Sequence, residues 1–302
     1  MVRILVTDGM DKAAARRLRE LGCELDEQLF EPAELAGRLK EYDAVIVRSA
    51  TKVRKPAIDA ALETGRLKLI IRGGVGTDNI DVEYAQGKGI EVRNTPNASS
   101  DAVAELAIAH LFALARHIHE ANVTMREGRW EKKAYKGVEL AGKTLGLIGL
   151  GRIGRCTAGK AQALGMNVIY YDIVGQTPAG EGYEYAGFDD LLARADFISL
   201  HVPKCDRPVI TASEIAKMKN GVYIVNCARG GLIDDDDMLD ALGSGKIAGA
   251  ALDVYPEEPP KDERILSHPH ISLTPHIGAS TSEAQSRIGA EIVRIIAEKF
   301  GL

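Results

Sequence analysis

The sequence predicts an α/β protein of two domains, each built on a parallel sheet. Apolar strand-like runs alternate with helical segments twice, once in the first hundred residues and again from Leu145 onward. Such alternation implies parallel strands joined by helical crossovers. Glycine-rich turns follow apolar runs in both halves, at the strand ends where open parallel sheets bring backbone close to ligands. The chain has 302 residues, about twice the usual single-domain size. Aromatics are only 5%, which suits buried parallel strands of Val, Leu, Ile and Ala better than an aromatic-rich sandwich.

In the first hundred residues the expected elements are a strand at Ile4-Leu5-Val6, a helix over Lys12 to Leu21, and strands at Ala44 to Val47 and Leu69 to Ile71. Arg72-Gly73-Gly74-Val75-Gly76 follows, either as a ligand-binding turn or as a plain tight turn. A helix is expected to start at Ser100 or Asp101, both good caps. It would carry Val103, Leu106, Ala107, His110, Leu111 and Leu114 on one face at the 3.6-residue period. Six strands with intervening helices come next: Leu145 to Leu150, Asn167 to Tyr171, Phe197 to His201, Val222 to Asn226, Ala248 to Asp253 and Ile271 to Leu273. That is a complete dinucleotide-binding fold. The amphipathic segment from Ser280 to Phe300 follows the last strand and can return to the first domain, which makes that domain discontinuous.

A formal charge of −5 and a pI near 5.9 provide no broad basic field, so nucleic acid is not expected as a partner. No signal peptide is expected, because the chain opens directly on an apolar strand. The most apolar helical stretch, Ala102 to Ala115, carries Glu105 and His110 and is too short to span a bilayer. A soluble cytoplasmic protein is the expectation. Cys23, Cys156, Cys205 and Cys227 form no CxxC pair and read as free thiols. His117-x-His119 and His268-x-His270 lack a neighbouring ligand cluster in sequence, and no metal site is expected.

Gly149-Leu150-Gly151-Arg152-Ile153-Gly154 matches GxGxxG, a pattern that is weak alone. Here it follows a strand and opens a helix. Asp172 ends the next strand 172 − 154 = 18 residues past the third glycine, close to the separation of about 20 that such sites show. The glycines allow a tight turn and close approach of a pyrophosphate, and the helix N-terminus offers free N–H groups. Asp172 would accept hydrogen bonds from the ribose hydroxyls and repel a 2′-phosphate. Since Ile173 and Val174 supply no cation, NAD is expected over NADP.

Longer motifs carry a more specific signal. They are Val47 to Val53, Arg72 to Asn79, Gly128-Arg129-Trp130-Glu131, Asn226-Cys227-Ala228-Arg229-Gly230-Gly231, Ala251 to Pro259 and Thr274-Pro275-His276-Ile277-Gly278. On these and the nucleotide-binding glycines, the chain resembles the D-isomer-specific 2-hydroxyacid dehydrogenases over nearly its whole length, and within them the 3-phosphoglycerate dehydrogenases. The resemblance implies a Rossmann-type doubly wound parallel-sheet domain, residues 99–280, inserted in a smaller flavodoxin-like α/β substrate domain, residues 1–98 and 281–302.

Arg229, Glu258 and His276 each lie just beyond a strand of the second domain, so all three should project from one rim of its sheet. Oxidising a secondary alcohol needs a base for the hydroxyl proton while hydride leaves, and histidine serves in both directions. A neighbouring carboxylate favours its protonated form, the role given to Glu258. A guanidinium fork holds a substrate carboxylate and polarises the carbonyl, the role given to Arg229. Taken singly, each has an ordinary reading as a surface ion pair, a solvated loop acid or a satisfied core histidine.

The resemblance further implies that Val75, Val202, Cys227 and Ala228 line the cofactor, that Asp253 meets the nicotinamide amide, and that Gly278 and Ala279 flank the ring. It implies substrate contacts from Arg48, Arg72, Gly73, Gly74 and a basic residue after Trp130-Glu131. That residue is Lys132 here, where arginine is implied, so its contact would be a point charge and not a fork. The four acids Asp234 to Asp237 sit where a helix begins and are read as caps. A homodimer through the NAD-binding domains is implied, with Ser100 to Trp130 in the interface. With the sequence ending at Leu302, no carboxyl-terminal regulatory domain and no serine feedback are expected. Three functions remain open: oxidation of D-3-phosphoglycerate to 3-phosphohydroxypyruvate or the reverse, reduction of glyoxylate, hydroxypyruvate or another 2-keto acid, and NAD sensing by a corepressor-like binding module.

Overall fold

The computed structural model describes residues 1–177 and 182–302. Two compact units divide the chain, Met1–Ser99 with Ala279–Leu302, and Ser100–Gly278. The chain therefore re-enters the first unit at Ala279, two residues before the position expected from sequence.

The first unit holds β1 (Arg3–Val6), β2 (Glu24–Glu27), β3 (Ala44–Val47), β4 (Leu69–Arg72) and β5 (Glu91–Asn94). All pair in parallel, in the order β2-β1-β3-β4-β5, the flavodoxin-like order. The three central strands are those legible as apolar runs. The two edges, Glu-Leu-Asp-Glu and Glu-Val-Arg-Asn, were not, because edge strands carry charge where central ones carry only apolar residues.

Side chains alternate between the faces of the sheet. Leu5, Val45, Val47 and Ile70 pack on one core. Ile4, Val6, Ile46 and Ile71 pack on another, which Ile288, Ile292, Ile295 and Ile296 of the last helix, Ser282–Phe300, complete. That helix lies against Lys12–Glu20 closely enough that a Cβ at Gly289 would come within 2.6 Å of the Ala14 Cβ. Only glycine allows this approach.

The second unit holds β6 (Thr144–Ile148), β7 (Asn167–Tyr171), β8 (Tyr183–Tyr185), β9 (Phe197–Leu200), β10 (Val222–Asn226), β11 (Ile247–Leu252) and β12 (Ile271–Leu273). They form one parallel sheet in the order β12-β11-β10-β9-β6-β7-β8. Among the described residues there are seven strands and not six. The added β8 is a three-residue edge without a buried apolar run. The strand order reverses between β6 and β9, the point at which doubly wound sheets leave a crevice for ligands.

The helix expected from Ser100 carries the whole predicted face, through Leu114. It runs Ser100–Ala115, with Ser100 already helical, and a second helix follows over Ile118–Arg126. Between them His117 takes a left-handed φ of 52°. The break has a local cause: Val138 N–H donates to the Ala115 carbonyl at 2.8 Å, the acceptor that a continued helix would use for residue 119. Gly137 permits this, since a Cβ there would lie 2.2 Å from the same oxygen. Further along, Asp234 caps the helix Asp235–Ser244 by accepting from Asp237 N–H at 3.1 Å, and the acid run begins a helix as expected.

Candidate active site

The glycine turn connects β6 to the helix Arg152–Ala163. Gly149 has φ +94°, and a Cβ on it would lie 2.7 Å from the His201 carbonyl and 2.9 Å from Val202 Cγ1. A Cβ on Gly154 would come within 2.4 Å of the Gly149 carbonyl. The turn is thus pressed against the end of β9 at the point of strand reversal, and the first and third glycines are sterically required. A Cβ on Gly151, the residue that caps the helix, would meet nothing within 4 Å, so its side is open to a ligand. Arg152 and Ile153 start the helix, whose first N–H groups have no partner within it. Asp172 follows β7 and accepts from Leu150 N–H at 2.9 Å and Val174 N–H at 3.2 Å. Ile173 and Val174 are exposed and bring no charge. A pyrophosphate on the helix N-terminus with a diol on Asp172 fits this cradle.

Three loops of the same unit bring the acid–base residues together. Arg229 follows β10, where Asn226 Nδ2 donates to its carbonyl at 2.8 Å and Ala228 N–H donates back to Asn226 Oδ1 at 3.0 Å. The next residue, Gly230, runs so close under Tyr255 that a Cβ would lie 1.9 Å from the Tyr255 carbonyl carbon. That close approach ties the Arg229 loop to the loop after β11, which carries Glu258. His276 Nδ1 lies 2.7 Å from Glu258 Oε2, and Glu258 Oε1 accepts from Tyr255 N–H at 3.2 Å. Burial raises the Glu258 carboxyl, but the His276 hydrogen bond and charge, the Tyr255 N–H and the charge of Arg229 outweigh it. The result is a carboxyl held below its ordinary range. His276 sits at φ 54°, a strained conformation for a non-glycine residue that the surrounding turn must hold.

The holding group is Asp253, 1% exposed at the end of β11. Its Oδ1 accepts from Thr274 Oγ1 at 2.7 Å and Ile277 N–H at 2.8 Å, and its Oδ2 accepts from Gly278 N–H at 2.9 Å. Burial raises this carboxyl, and those three donors and the His276 charge oppose the rise. The Asp253 carboxylate thus spans the turn of His276, a role the resemblance did not imply. Nothing in the spacing signalled Thr274 as the third donor. Cys227 and Ala228 are buried at the end of β10, and burial pushes the Cys227 thiol up, away from thiolate chemistry.

The other substrate-side candidates lie in the first unit. Arg48 follows β3 and Arg72 ends β4. Gly73 and Gly74 lie beside both, since a Cβ on Gly73 would come within 3.8 Å of Arg48 Cγ and one on Gly74 within 1.3 Å of Arg72 Nη1. Asp8 accepts from Arg48 N–H at 2.6 Å and from Thr51 N–H and Oγ1 at 3.1 and 2.6 Å, and Asn79 Nδ2 donates to the carbonyls of Arg48 and Thr51. The 48–51 loop is therefore clamped at both ends. Burial lowers the Arg48 guanidinium, with Asp8 opposing. Val75 is half-buried after the same turn, and Ala279 opens the chain's return to this unit. Lys132 belongs to the second unit and is exposed.

His117 and His119 meet His270, far apart in sequence, at Glu120: its carboxylate lies 2.8 Å from His270 Nδ1, 3.4 Å from His117 Nδ1 and 3.7 Å from His119 Nε2. Among the described residues, no group of three or more His, Cys, Asp or Glu is arranged to hold a metal ion, and no helix is long and apolar enough to cross a membrane.

Residues 108–278 match the family described as "D-isomer specific 2-hydroxyacid dehydrogenase, NAD binding domain". The chain belongs to the D-isomer-specific 2-hydroxyacid dehydrogenases. A hydroxypyruvate reductase of Thermotoga maritima is 48% identical over 99% of this chain and 99% of its own length. A D-3-phosphoglycerate dehydrogenase of Methanocaldococcus jannaschii is 47% identical over 99% of this chain and 57% of its own, so this dehydrogenase spans little more than half of that relative. Among solved structures, a D-lactate dehydrogenase of Aquifex aeolicus complexed with NAD and lactic acid superposes with a TM-score of 0.87 at 30% identity, over 99% of this chain and 96% of that one. The cofactor of this dehydrogenase is NAD, for which the cradle around Gly149 and Asp172 is suited.

Proposed function

We propose that this dehydrogenase interconverts D-3-phosphoglycerate and 3-phosphohydroxypyruvate, the entry step of serine biosynthesis, with Arg229, Glu258 and His276 as its working set. When bound, NAD supplies the acceptor or donor of the hydride. The chain's own residues do the rest. Gly149, Gly151, Arg152, Ile153 and Gly154 would hold the cofactor's pyrophosphate, Asp172 would hold the ribose diol, and Val75, Val202, Cys227, Ala228, Asp253, Gly278 and Ala279 are the remaining candidates for its lining. Arg229 binds the substrate carboxylate and polarises the carbonyl. His276 gives a proton to the carbonyl oxygen in reduction and removes it from the hydroxyl in oxidation, while Glu258 on Nδ1 stabilises the imidazolium. The Nδ1–Glu258 contact of 2.7 Å carries this part of the proposal, because it pairs the histidine with a carboxylate that is kept ionised.

The observation that favours a phosphorylated substrate is the pair of guanidinium groups, Arg48 and Arg72, beside Gly73 and Gly74. Two cations beside one glycine turn suit a phosphate dianion, and Lys132 is a third candidate. The second reading, hydroxypyruvate reduction, is favoured by the Thermotoga maritima relative, which matches over its full length. Comparing kcat/KM for phosphohydroxypyruvate and hydroxypyruvate with NADH separates the two. A preference of at least about tenfold for the phosphorylated acid is expected, and a preference for hydroxypyruvate overturns the first reading.

A homodimer through the NAD-binding domains belongs to the same proposal. It is supported by exposed apolar side chains over the segment proposed as its interface, Phe112, Ile118, Val123, Met125 and Trp130, the last 78% exposed. Sedimentation equilibrium at micromolar concentration tests it, with a 32.5 kDa species as the overturning result.

A further inference from the structure

We propose that His110 is a positioning residue: as a neutral imidazole protonated on Nε2, it locks the Thr274 hydroxyl into donating to Asp253 and thereby fixes the turn that carries His276. The inference rests on the reading of His276 as the proton-transfer group.

His110 occupies an inward position of the helix Ser100–Ala115 and is 3% exposed. The 3.6-residue period places it among Val103, Ala107, Leu111 and Leu114, where an apolar side chain would pack without the cost of burying two polar nitrogens. Both nitrogens have partners. Nδ1 is 3.1 Å from Ser272 Oγ and Nε2 is 3.1 Å from Thr274 Oγ1, two residues apart on one face of β12 and its extension.

Proton counting fixes the direction of each bond. The Thr274 hydroxyl has one hydrogen, and Asp253 Oδ1, an acceptor only when ionised, takes it at 2.7 Å. Thr274 Oγ1 can then only accept from the imidazole, so Nε2 carries the ring hydrogen. Nδ1 is left as an acceptor for the Ser272 hydroxyl. The opposite tautomer would set two lone pairs face to face at 3.1 Å inside the core. Burial keeps the ring neutral, pushing it down to about 4. From Thr274 the chain of contacts continues through Asp253 to the N–H groups of Ile277 and Gly278, the two residues that follow His276. A histidine in the left-handed region depends on such a clamp to keep its ring in one place.

The test compares His110→Leu, which fills the space without a donor, with His110→Gln, whose amide N–H can still reach Thr274. In His110→Leu, exchange of the Ile277 and Gly278 amides speeds by about tenfold or more. Its kcat for keto-acid reduction falls about tenfold, while NADH affinity and keto-acid KM stay within about twofold. His110→Gln recovers both readouts even where it melts as early as His110→Leu. Equal losses in the two variants, or unchanged exchange in His110→Leu, overturn the proposal and leave a core histidine. Long-range nitrogen–proton spectra of histidine-labelled protein supply an activity-free check, since a hydrogen on Nδ1 of His110 also overturns it. Should His276→Asn keep wild-type kcat, the reading of His276 fails by itself, while exchange and tautomer still decide whether His110 sets the turn.

Discussion

The two sheets obey the same topological rule and use it differently. In the seven-stranded sheet the strand order reverses between β6 and β9, and the turn there is glycine pressed against the His201 carbonyl, with helix N–H groups left over. In the five-stranded sheet the order reverses between β1 and β3, and there the protein's own Asp8 takes the N–H groups of Arg48 and Thr51. One reversal point keeps its backbone donors for a ligand. At the other, Asp8 takes two of them, and the side chains of Arg48 and Arg72 supply cations at the neighbouring strand ends. Backbone donors suit a phosphodiester common to every turnover, whereas side-chain cations can be matched to one substrate. The proposed function thus puts recognition of what is shared and recognition of what is specific on different sheets.

If that division holds, variants in the larger sheet affect all keto acids alike. The largest effect is expected from His276→Ala, which lowers kcat for reduction by at least about 10², equally for phosphorylated and unphosphorylated acids, with NADH binding nearly intact. Single-turnover rates with both acids check it, and a loss confined to one acid breaks the comparison. Arg72→Ala should show the opposite pattern. A charge-assisted contact to phosphate is worth roughly 1.5–3 kcal/mol, so kcat/KM for phosphohydroxypyruvate falls about ten- to a hundredfold while hydroxypyruvate is little affected. Equal losses for both would give Arg72 the shared carboxylate or only the loop.

Asp172→Ala should weaken NAD binding by about tenfold and narrow its margin over NADP, because the ribose acceptor and the repulsion of a 2′-phosphate disappear together. Dissociation constants for both cofactors decide it, and an unchanged ratio removes Asp172 from the site. The smallest effect belongs to Glu258→Gln. Despite burial, the native carboxylate is held below its ordinary range by the His276 hydrogen bond and charge, the Tyr255 N–H and Arg229, so it meets Nδ1 as an ionised acceptor. Without that acceptor the ring loses the partner that orients it, and kcat for keto-acid reduction should fall about threefold. An unchanged kcat would dissolve the pairing of Glu258 with His276.

Legibility in the sequence followed burial and spacing. Central strands such as Ala44–Val47 were readable as uninterrupted apolar runs, whereas β2, β5 and β8 lie at sheet edges, where half-exposed chain carries Glu, Arg and Tyr and loses its periodicity. Arg229, Glu258 and His276 were singled out by the family resemblance together with their offsets from strand ends, neither of which needs knowledge of side-chain contacts. The hydrogen bonds that hold them in place were not legible. His110 looked like one more inward residue on a helix, and its partners Ser272 and Thr274 lie more than 160 positions away. The same separation hid the meeting of His117 and His119 with His270 at Glu120. The donor that ends the helix from Ser100, Val138 N–H, comes from outside the helix and was not legible either.

The first unit's second core has a consequence for how the chain is made. Ile4, Val6, Ile46 and Ile71 are synthesised early, but the side chains that cover them, Ile288 to Ile296, come after the whole of Ser100–Gly278. At about 5–20 residues per second, a ribosome needs roughly ten to forty seconds for that interval, long compared with hydrophobic collapse. During it the early half-domain presents an apolar sheet face covered only in part, by Leu18 of the helix Lys12–Glu20, while the inserted unit has all its strands in one continuous stretch and can finish first. Biogenesis then proceeds from the middle outward. The nascent chain is most exposed to aggregation, and most in need of a chaperone, in the interval before the last helix is released.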